Sequence, residues 1–179
     1  EAEPRKIQAV QWTPEVKLVD EIINSKNDND PRLDTELRVL SDEAKVALRT
    51  YYLSRPEEDR NGKGTVLFVL GRNLKSPEDV KFMADALKET PCRSLADCTS
   101  EAVVIDHRES QHDTSPEVTL AYPKIVTLAM FEKELNNPHL SPQMQDSILE
   151  AVQQSLKSEE PIVKKRAAAI LDRAKQKKI

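Results

Sequence analysis

Apolar residues recur every three or four positions through most of this chain. In residues 42–54, for example, the apolar positions are Ala44, Leu48, Tyr51 and Tyr52. Residues spaced in this way lie on one face of an α-helix, whereas a half-buried strand requires strict alternation. The same spacing is found in residues 76–90, 118–129, 141–157 and 161–176. The pattern therefore predicts an all-α fold.

Five predicted helices begin with the same type of start signal. The signals are Thr13-Pro14-Glu15, Ser76-Pro77-Glu78, Ser115-Pro116-Glu117, Ser141-Pro142-Gln143 and, without the proline, Ser41-Asp42-Glu43. The Ser or Thr hydroxyl can accept a hydrogen bond from a free N–H of the first helical turn. Proline is tolerated in that turn because its missing N–H would have had no partner. We therefore expect five helices to begin at these positions.

Residues 65–70 read TVLFVL and would also suit a buried strand. A strand there would need a partner, and residues 102–105 are the one other candidate. The chain has only three glycines, Gly62, Gly64 and Gly71, although multi-stranded sheets rely on glycine in their tight turns. We therefore interpret residues 65–70 as a buried helix, with Gly71 as the residue that follows its last turn.

The carboxyl-terminal part of the chain contains two apolar helical segments joined by a short turn. The first has Ile148, Leu149, Val152 and Leu156 on one face, the turn reads SEEP at 158–161, and the second reads VKKRAAAIL at 163–171. This arrangement resembles a HEAT-repeat unit, most clearly over residues 148–174. The resemblance implies an α-α superhelix of antiparallel helix pairs. We also expect Leu171 to be buried, because it lies with Ala167 and Ile170 on the alanine-rich face of the last helix.

The resemblance extends more loosely over the rest of the chain, which is interpreted as a single domain spanning residues 1–179. Pro123 is similar in position to the kinking proline in the first helix of many HEAT repeats. The start signals are nevertheless unevenly spaced, at 35 residues from Ser41 to Ser76, then 39 to Ser115 and 26 to Ser141. A tandem array would be more regular, so an irregular helical bundle is the alternative fold.

The resemblance implies a non-catalytic scaffold or adaptor that binds another protein, since helical repeats create extended binding faces. No nucleophile-triad motif is present, and we expect neither an enzyme nor a cofactor. Basic residues of the last helix, Lys164, Lys165, Arg166 and Arg173, form a candidate partner surface. Nucleic-acid binding through this helix is an alternative, although the net charge of −4 gives no general reason to expect it.

A predicted loop at residues 95–114 supports a second alternative, a small metal-dependent enzyme or metal-binding protein. His107 and His112 lie among carboxylates in this loop and could converge on a cation. The more economical interpretation is a solvated polar loop. The acidic groups Glu57-Glu58-Asp59 and Glu159-Glu160 are interpreted as solvated turns or as charges of the first helical turn.

A phosphate-binding loop is disfavoured for Gly62-Lys63-Gly64-Thr65, because the position five residues before this Gly-Lys pair is Glu57. A helix start or a close helix crossing explains these glycines better.

Cys92 and Cys98 are the only two cysteines of the chain. Their closeness predicts a disulfide that closes a small ring in an oxidising compartment. No apolar run is long enough to span a bilayer. The expected location is therefore periplasmic or secreted, with two separate thiols in a cytoplasmic protein as the alternative.

Overall fold

Helices account for all the regular secondary structure of residues 9–27, 29–99 and 116–176, which are the residues that this computed structural model describes. The helices are α1 (Pro14–Ser25), α2 (Asp42–Ser54), α3 (Arg60–Gly71), α4 (Pro77–Leu87), α5 (Pro116–Leu120), α6 (Tyr122–Leu135), α7 (Pro142–Ser155) and α8 (Pro161–Gln176). One short 3₁₀ helix, Pro31–Leu33, lies between α1 and α2. The prediction of an all-α fold is confirmed for this part of the chain.

The predicted start signals cap the helices as expected. The hydroxyls of Thr13, Ser41, Ser76 and Ser141 each accept a hydrogen bond from the backbone N–H three residues later, at 3.3, 3.1, 3.2 and 3.3 Å. At Ser76 the arrangement is reciprocal, because the carboxylate of Asp79 accepts from the Ser76 N–H. The fifth predicted cap, Ser115, lies outside the described residues.

Residues 65–70 are helical, as predicted, and lie within α3. The expectation that Gly71 follows the helix is wrong, because Gly71 is its last helical residue and Arg72 caps the helix in the right-handed conformation. Glycine is needed here because the backbone of α3 lies close to a side chain of α6. A Cβ atom at Gly71 would lie 2.3 Å from Cγ of Met130 on α6.

The same helix crossing explains Gly64, one of the two glycines of the rejected phosphate loop. A Cβ at Gly64 would lie 2.3 Å from Cδ1 of Tyr122. Because Gly64 and Gly71 are seven residues apart, they lie on one face of α3, and α6 packs against that face.

The segment that contains Pro123 forms two helices instead of one kinked helix. α5 ends at Leu120, and Ala121 separates it from α6, in which Pro123 is the second residue. The break is favoured because proline lacks an N–H and its ring would clash with the carbonyl four residues earlier.

The helices pack in a regular order. α2 packs against α3, α4 against α6, and α7 against α8. Between these pairs, α6 contacts both α3 and α8, while α4 contacts α7. α1 covers one end by packing against α2 and α3. The hydrophobic core is therefore continuous along the described part of the molecule.

α8 docks through Val163, Ala167 and Ile170, which are almost fully buried. Leu171 was expected to be buried, but it is only partly buried at the edge of the core. A helix turns about 100° per residue, so neighbouring side chains cannot both point directly into the same core. Ile170 takes the inward position.

None of the described helices combines the length and the apolar character required to cross a membrane.

Candidate functional site

Four connecting segments meet at one end of the helix pairs. We call this region the turn edge and define it as residues 55–63, 88–93, 120–124 and 156–161. Polar contacts across the turn edge join Lys63 to Glu89, Lys124 to Glu89 and Glu160, Arg60 to Leu120, and Arg93 to Glu159. Residues far apart in sequence are thereby held together.

Lys63 is a buried cation at the start of α3, with a side chain that is 1% exposed. Its Nζ lies 2.7 Å from Oε1 of Glu57 and 3.3 Å from Oε2 of Glu89. The same ammonium lies 4.5 Å from the ring centroid of Tyr52, within the range of a cation–π contact. Two acidic residues and one aromatic ring therefore compensate the loss of water around Lys63.

Tyr52 contributes a second contact to Glu89 by donating its hydroxyl to Oε2 at 3.0 Å. Burial raises the pKa of this phenol above its ordinary value, and the carboxylate of Glu89 raises the pKa further. Tyr52 thus stays a neutral hydrogen-bond donor over the whole physiological range of pH.

Lys124 is the second buried cation of the turn edge, and its side chain is 3% exposed. Nζ donates to the backbone carbonyl of Glu89 at 2.7 Å and to Oε2 of Glu160 at 2.6 Å. This ammonium therefore joins the carboxyl end of α4 to the start of α8. Glu160, which the sequence indicated to be a residue of a solvated turn or a charge at a helix start, directly precedes α8 and forms a buried ion pair.

Arg60 fills the space between α3 and α5. Its Nε donates to the carbonyl of Leu120 at 2.8 Å, and Nη1 donates to the carbonyl of Glu57 at 3.1 Å. Nη2 is buried and has no acceptor among the described residues. The contacts of Arg60 are mostly with backbone carbonyls, which indicates a role in holding the turns.

The predicted disulfide is present between Cys92 and Cys98 and closes a loop of residues 92–98 directly after α4. This disulfide loop is anchored to the turn between α2 and α3, because the N–H of Cys98 donates to Oε1 of Glu58 at 2.9 Å. The same hydrogen bond lowers the pKa of the Glu58 carboxyl. Glu58 is therefore a docking point for the disulfide loop, a role that the interpretation as a solvated turn or a first-turn charge did not include.

Two adjoining clefts open on the turn edge. Cleft A has a volume of about 440 Å³ and includes Lys88, Glu89, Arg93, Lys124, Lys157 and Glu159 in its lining. Cleft B has a volume of about 350 Å³, and its apolar side is formed by Pro91, Cys92, Pro116, Leu120, Pro161 and Ile162. Pro91, Arg93 and Glu159 line both clefts. The Arg93–Glu159 ion pair, at 3.1 Å, thus stands between them.

The four basic residues of the predicted partner surface divide into two groups. Arg166 and Arg173 both form ion pairs with Glu132 of α6, at 2.7 and 2.6 Å. Lys164 and Lys165 are exposed and have no ion-pair partner among the described residues. The arginines therefore help to dock α8, and only the two lysines present unpaired charge to solvent.

The predicted metal-binding histidines, His107 and His112, lie outside the described residues, as does most of the predicted 95–114 loop. Within the part of the chain that the structure describes, no three His, Cys, Asp or Glu side chains converge as a metal site.

Lys63 and Lys124 were not identified from the sequence as residues of a site. Each occupies a helical position in register with apolar residues, Lys63 with Val66 and Leu70, and Lys124 with Leu128. A lysine at a position that the helical spacing assigns to the apolar face is therefore the sequence feature that indicates a buried cation. Its carboxylate partners come from distant turns and have no comparable signal in the local sequence.

Comparison of the chain with protein-family models, with curated proteins and with solved structures finds no match.

Proposed function

We propose that this chain is a non-catalytic scaffold that binds another protein through clefts A and B. The observation that supports this most directly is the pair of adjoining clefts on the turn edge, one with a mixed lining that includes several charged residues and the other lined largely by apolar side chains. Binding sites for other molecules are commonly concave and combine apolar surface with a few fixed polar groups.

The packing order of the helices supports an α-α superhelix of antiparallel pairs. Three successive pairs, α2 with α3, α4 with α6, and α7 with α8, contact their neighbours in sequence order. In such an architecture each unit contacts mainly the adjacent units and the connecting turns form a long edge. The turn edge would be that edge, which is why clefts A and B are assigned to partner binding.

The buried ion pairs also favour a binding role over catalysis. Lys63 and Lys124 have their charges engaged by carboxylates and a carbonyl, and both side chains are almost fully buried. Lys124 lines cleft A, and Lys63 pairs with Glu89 of the same lining, so both lysines help to fix the wall of this cleft and reduce the conformational cost of binding.

An oxidising compartment is part of the proposal. The disulfide between Cys92 and Cys98 supports it, because disulfides persist in secreted and periplasmic proteins and are rare in the cytosol.

Site-specific photocrosslinking tests the proposal. A benzophenone amino acid would replace Gln154, an exposed residue of cleft A, and in a control protein Lys17, an exposed residue of α1. After irradiation in the native compartment, we expect discrete protein adducts from position 154 and none from position 17. Absence of adducts at 154, or the same adducts at both positions, would contradict binding through the clefts.

A further inference from the structure

The exposed charges of cleft A that are not held in a pair across the turn edge are basic, namely Lys88 and Lys157. Its lining contains four basic residues, Lys88, Arg93, Lys124 and Lys157, and two acidic ones, whereas the chain carries a net charge of −4. A local excess of positive charge on an acidic protein favours an anionic ligand at that place.

The cations of cleft A differ in how far they are already engaged. Lys157 is exposed and has no ion-pair partner among the described residues. Lys88 contacts Asp85 at 3.2 Å, but both side chains are more than half exposed, so solvent screens this pair strongly. Lys88 and Lys157 are therefore available to a carboxylate from outside.

The neighbouring cleft B offers a different surface. Pro91, Pro116, Leu120, Pro161 and Ile162 give it an apolar wall, and its remaining lining is mainly acidic, so the carboxylate of a partner is assigned to cleft A and not to cleft B. This wall is suited to a bulky aliphatic or aromatic side chain, whose burial would release water from both surfaces.

The two clefts lie side by side because they share Pro91, Arg93 and Glu159. In an extended peptide, alternate side chains point in the same direction and successive residues advance by about 3.3 Å. Side chains at positions i and i+2 of such a peptide could therefore enter the two adjoining clefts together.

We propose that clefts A and B together recognise an extended segment of a partner protein that has Asp or Glu at one position and a bulky apolar residue two positions away. The carboxylate enters cleft A beside Lys88 and Lys157, and the apolar side chain enters cleft B beside Leu120 and Ile162. This inference rests on the proposed protein-binding function and adds the chemistry of the partner.

Selection from a phage-displayed library of random dodecapeptides tests the inference, with the full disulfide-bonded chain immobilised. We expect enriched peptides to share an acidic residue separated by one position from Leu, Ile, Met or Phe. Synthetic versions should lose binding when the acid is replaced by its amide or when the apolar residue is replaced by serine. These changes leave the folding of the protein untouched.

Charge reversal of the protein supplies the second measurement. Lys88→Glu combined with Lys157→Glu should weaken binding of an enriched peptide by about tenfold or more, since two attractive contacts become repulsive. Lys17→Glu combined with Lys75→Glu makes the same charge change at exposed positions outside both clefts and should leave the affinity unchanged.

Four results would overturn the inference. Enriched peptides without the paired acidic and apolar residues would refute the proposed chemistry, and so would affinity that is insensitive to Lys88→Glu with Lys157→Glu. If binding were lost only in the double variant Lys164→Glu with Lys165→Glu, the peptide would contact the exposed lysines of α8 and not the clefts. Failure to enrich any peptide would also count against a short linear segment. The photocrosslinking at position 154 separately decides whether a protein binds there at all.

Discussion

At the scale of single residues, Lys124 shows most clearly how the turn edge is held. Its ammonium is removed from water and is compensated by a carbonyl of one helix end and a carboxylate of another. A buried ion pair is not necessarily stabilising relative to an apolar substitute for both partners. Removal of one partner is different, because it leaves the other charge buried and unpaired.

We therefore expect Lys124→Met to lower the free energy of unfolding by about 3–5 kcal/mol. The variant keeps most of the side-chain volume but leaves Glu160 without its cation. Lys157→Met is the control, because Lys157 is exposed and surface substitutions usually change stability by less than about 0.5 kcal/mol. Urea denaturation followed by circular dichroism measures both. Equal midpoints for the two variants would show that the buried pair contributes no net stability.

Gly64 and Gly71 show what single-residue patterns can and cannot predict. The sequence correctly indicated a helix start or a close helix crossing for the first of them. It wrongly assigned Gly71 to the position after the helix, because a glycine near a helix end is usually interpreted by its backbone freedom. The actual cause is contact with Met130, which is 59 residues away and leaves no local signal.

At the scale of elements, α8 buries the predicted residues Val163, Ala167 and Ile170, but its buried face is narrower than the sequence indicated, because Leu171 lies at the edge of the core. The start of α8 at Pro161, its length and the burial of Ala167 were predictable from the apolar spacing and from the proline. The rotation of the helix was not, because α6 and α7 jointly determine which of two adjacent apolar residues points inward.

Ile170→Ala is expected to destabilise the protein by about 2–5 kcal/mol, since Ile170 is 1% exposed. Leu171→Ala should have a clearly smaller effect, because Leu171 is only partly buried. Thermal unfolding of the two variants beside the wild type gives the comparison. A larger loss for Leu171→Ala would mean that Leu171, and not Ile170, faces the core.

α4 is joined to α2 by Asp79, a buried carboxylate that accepts from Nζ of Lys45 at 2.9 Å and also contacts Arg49. Burial by itself raises the pKa of Asp79, but the hydrogen bond from the Lys75 N–H and the ammonium of Lys45 outweigh it. The net result is a pKa below the ordinary value of 3.8. The carboxylate therefore stabilises the fold above that value, and this contribution is lost as the pH falls through the lower folded-state pKa.

Asp79→Asn should accordingly lower stability near neutral pH, and the difference from the wild type should shrink as the pH falls from about 5 to about 2. Unfolding free energies measured by urea titration across this range provide the test. Glu78→Gln is the matched control in the same helical turn, because Glu78 is exposed. A difference that stays constant with pH would show that charge on Asp79 is not what joins α4 to α2.

At the scale of the whole molecule, the disulfide loop shows the limits of sequence interpretation well. The bond itself was predictable because only two cysteines are present. The place at which the loop docks was not, since Glu58 lies 40 residues away from Cys98 in the chain. The order of the helices was likewise predictable from start signals, whereas the turn edge and its two clefts arise only when distant turns converge.

We expect protein recovered from its native compartment to contain two alkylatable thiols only after reduction, as measured by intact mass under denaturing conditions. Cys92→Ser should lower stability modestly, on the order of 2–3 kcal/mol, because the closed ring is short. Amide exchange should become faster in residues 92–98 while α7 and α8 stay protected. Two free thiols without reductant would contradict both the bond and the proposed oxidising compartment.

The packing of α6 against α3 and of α4 against α7 has a consequence for fragment complementation. A division of the chain within residues 100–115 would leave α1 to α4 on one polypeptide and α5 to α8 on the other. Each fragment would then expose an apolar face that only the other can cover. Once divided, the halves are separate molecules, so their association would depend on their concentration. Two separately synthesised halves should therefore recognise each other and reassociate through these faces.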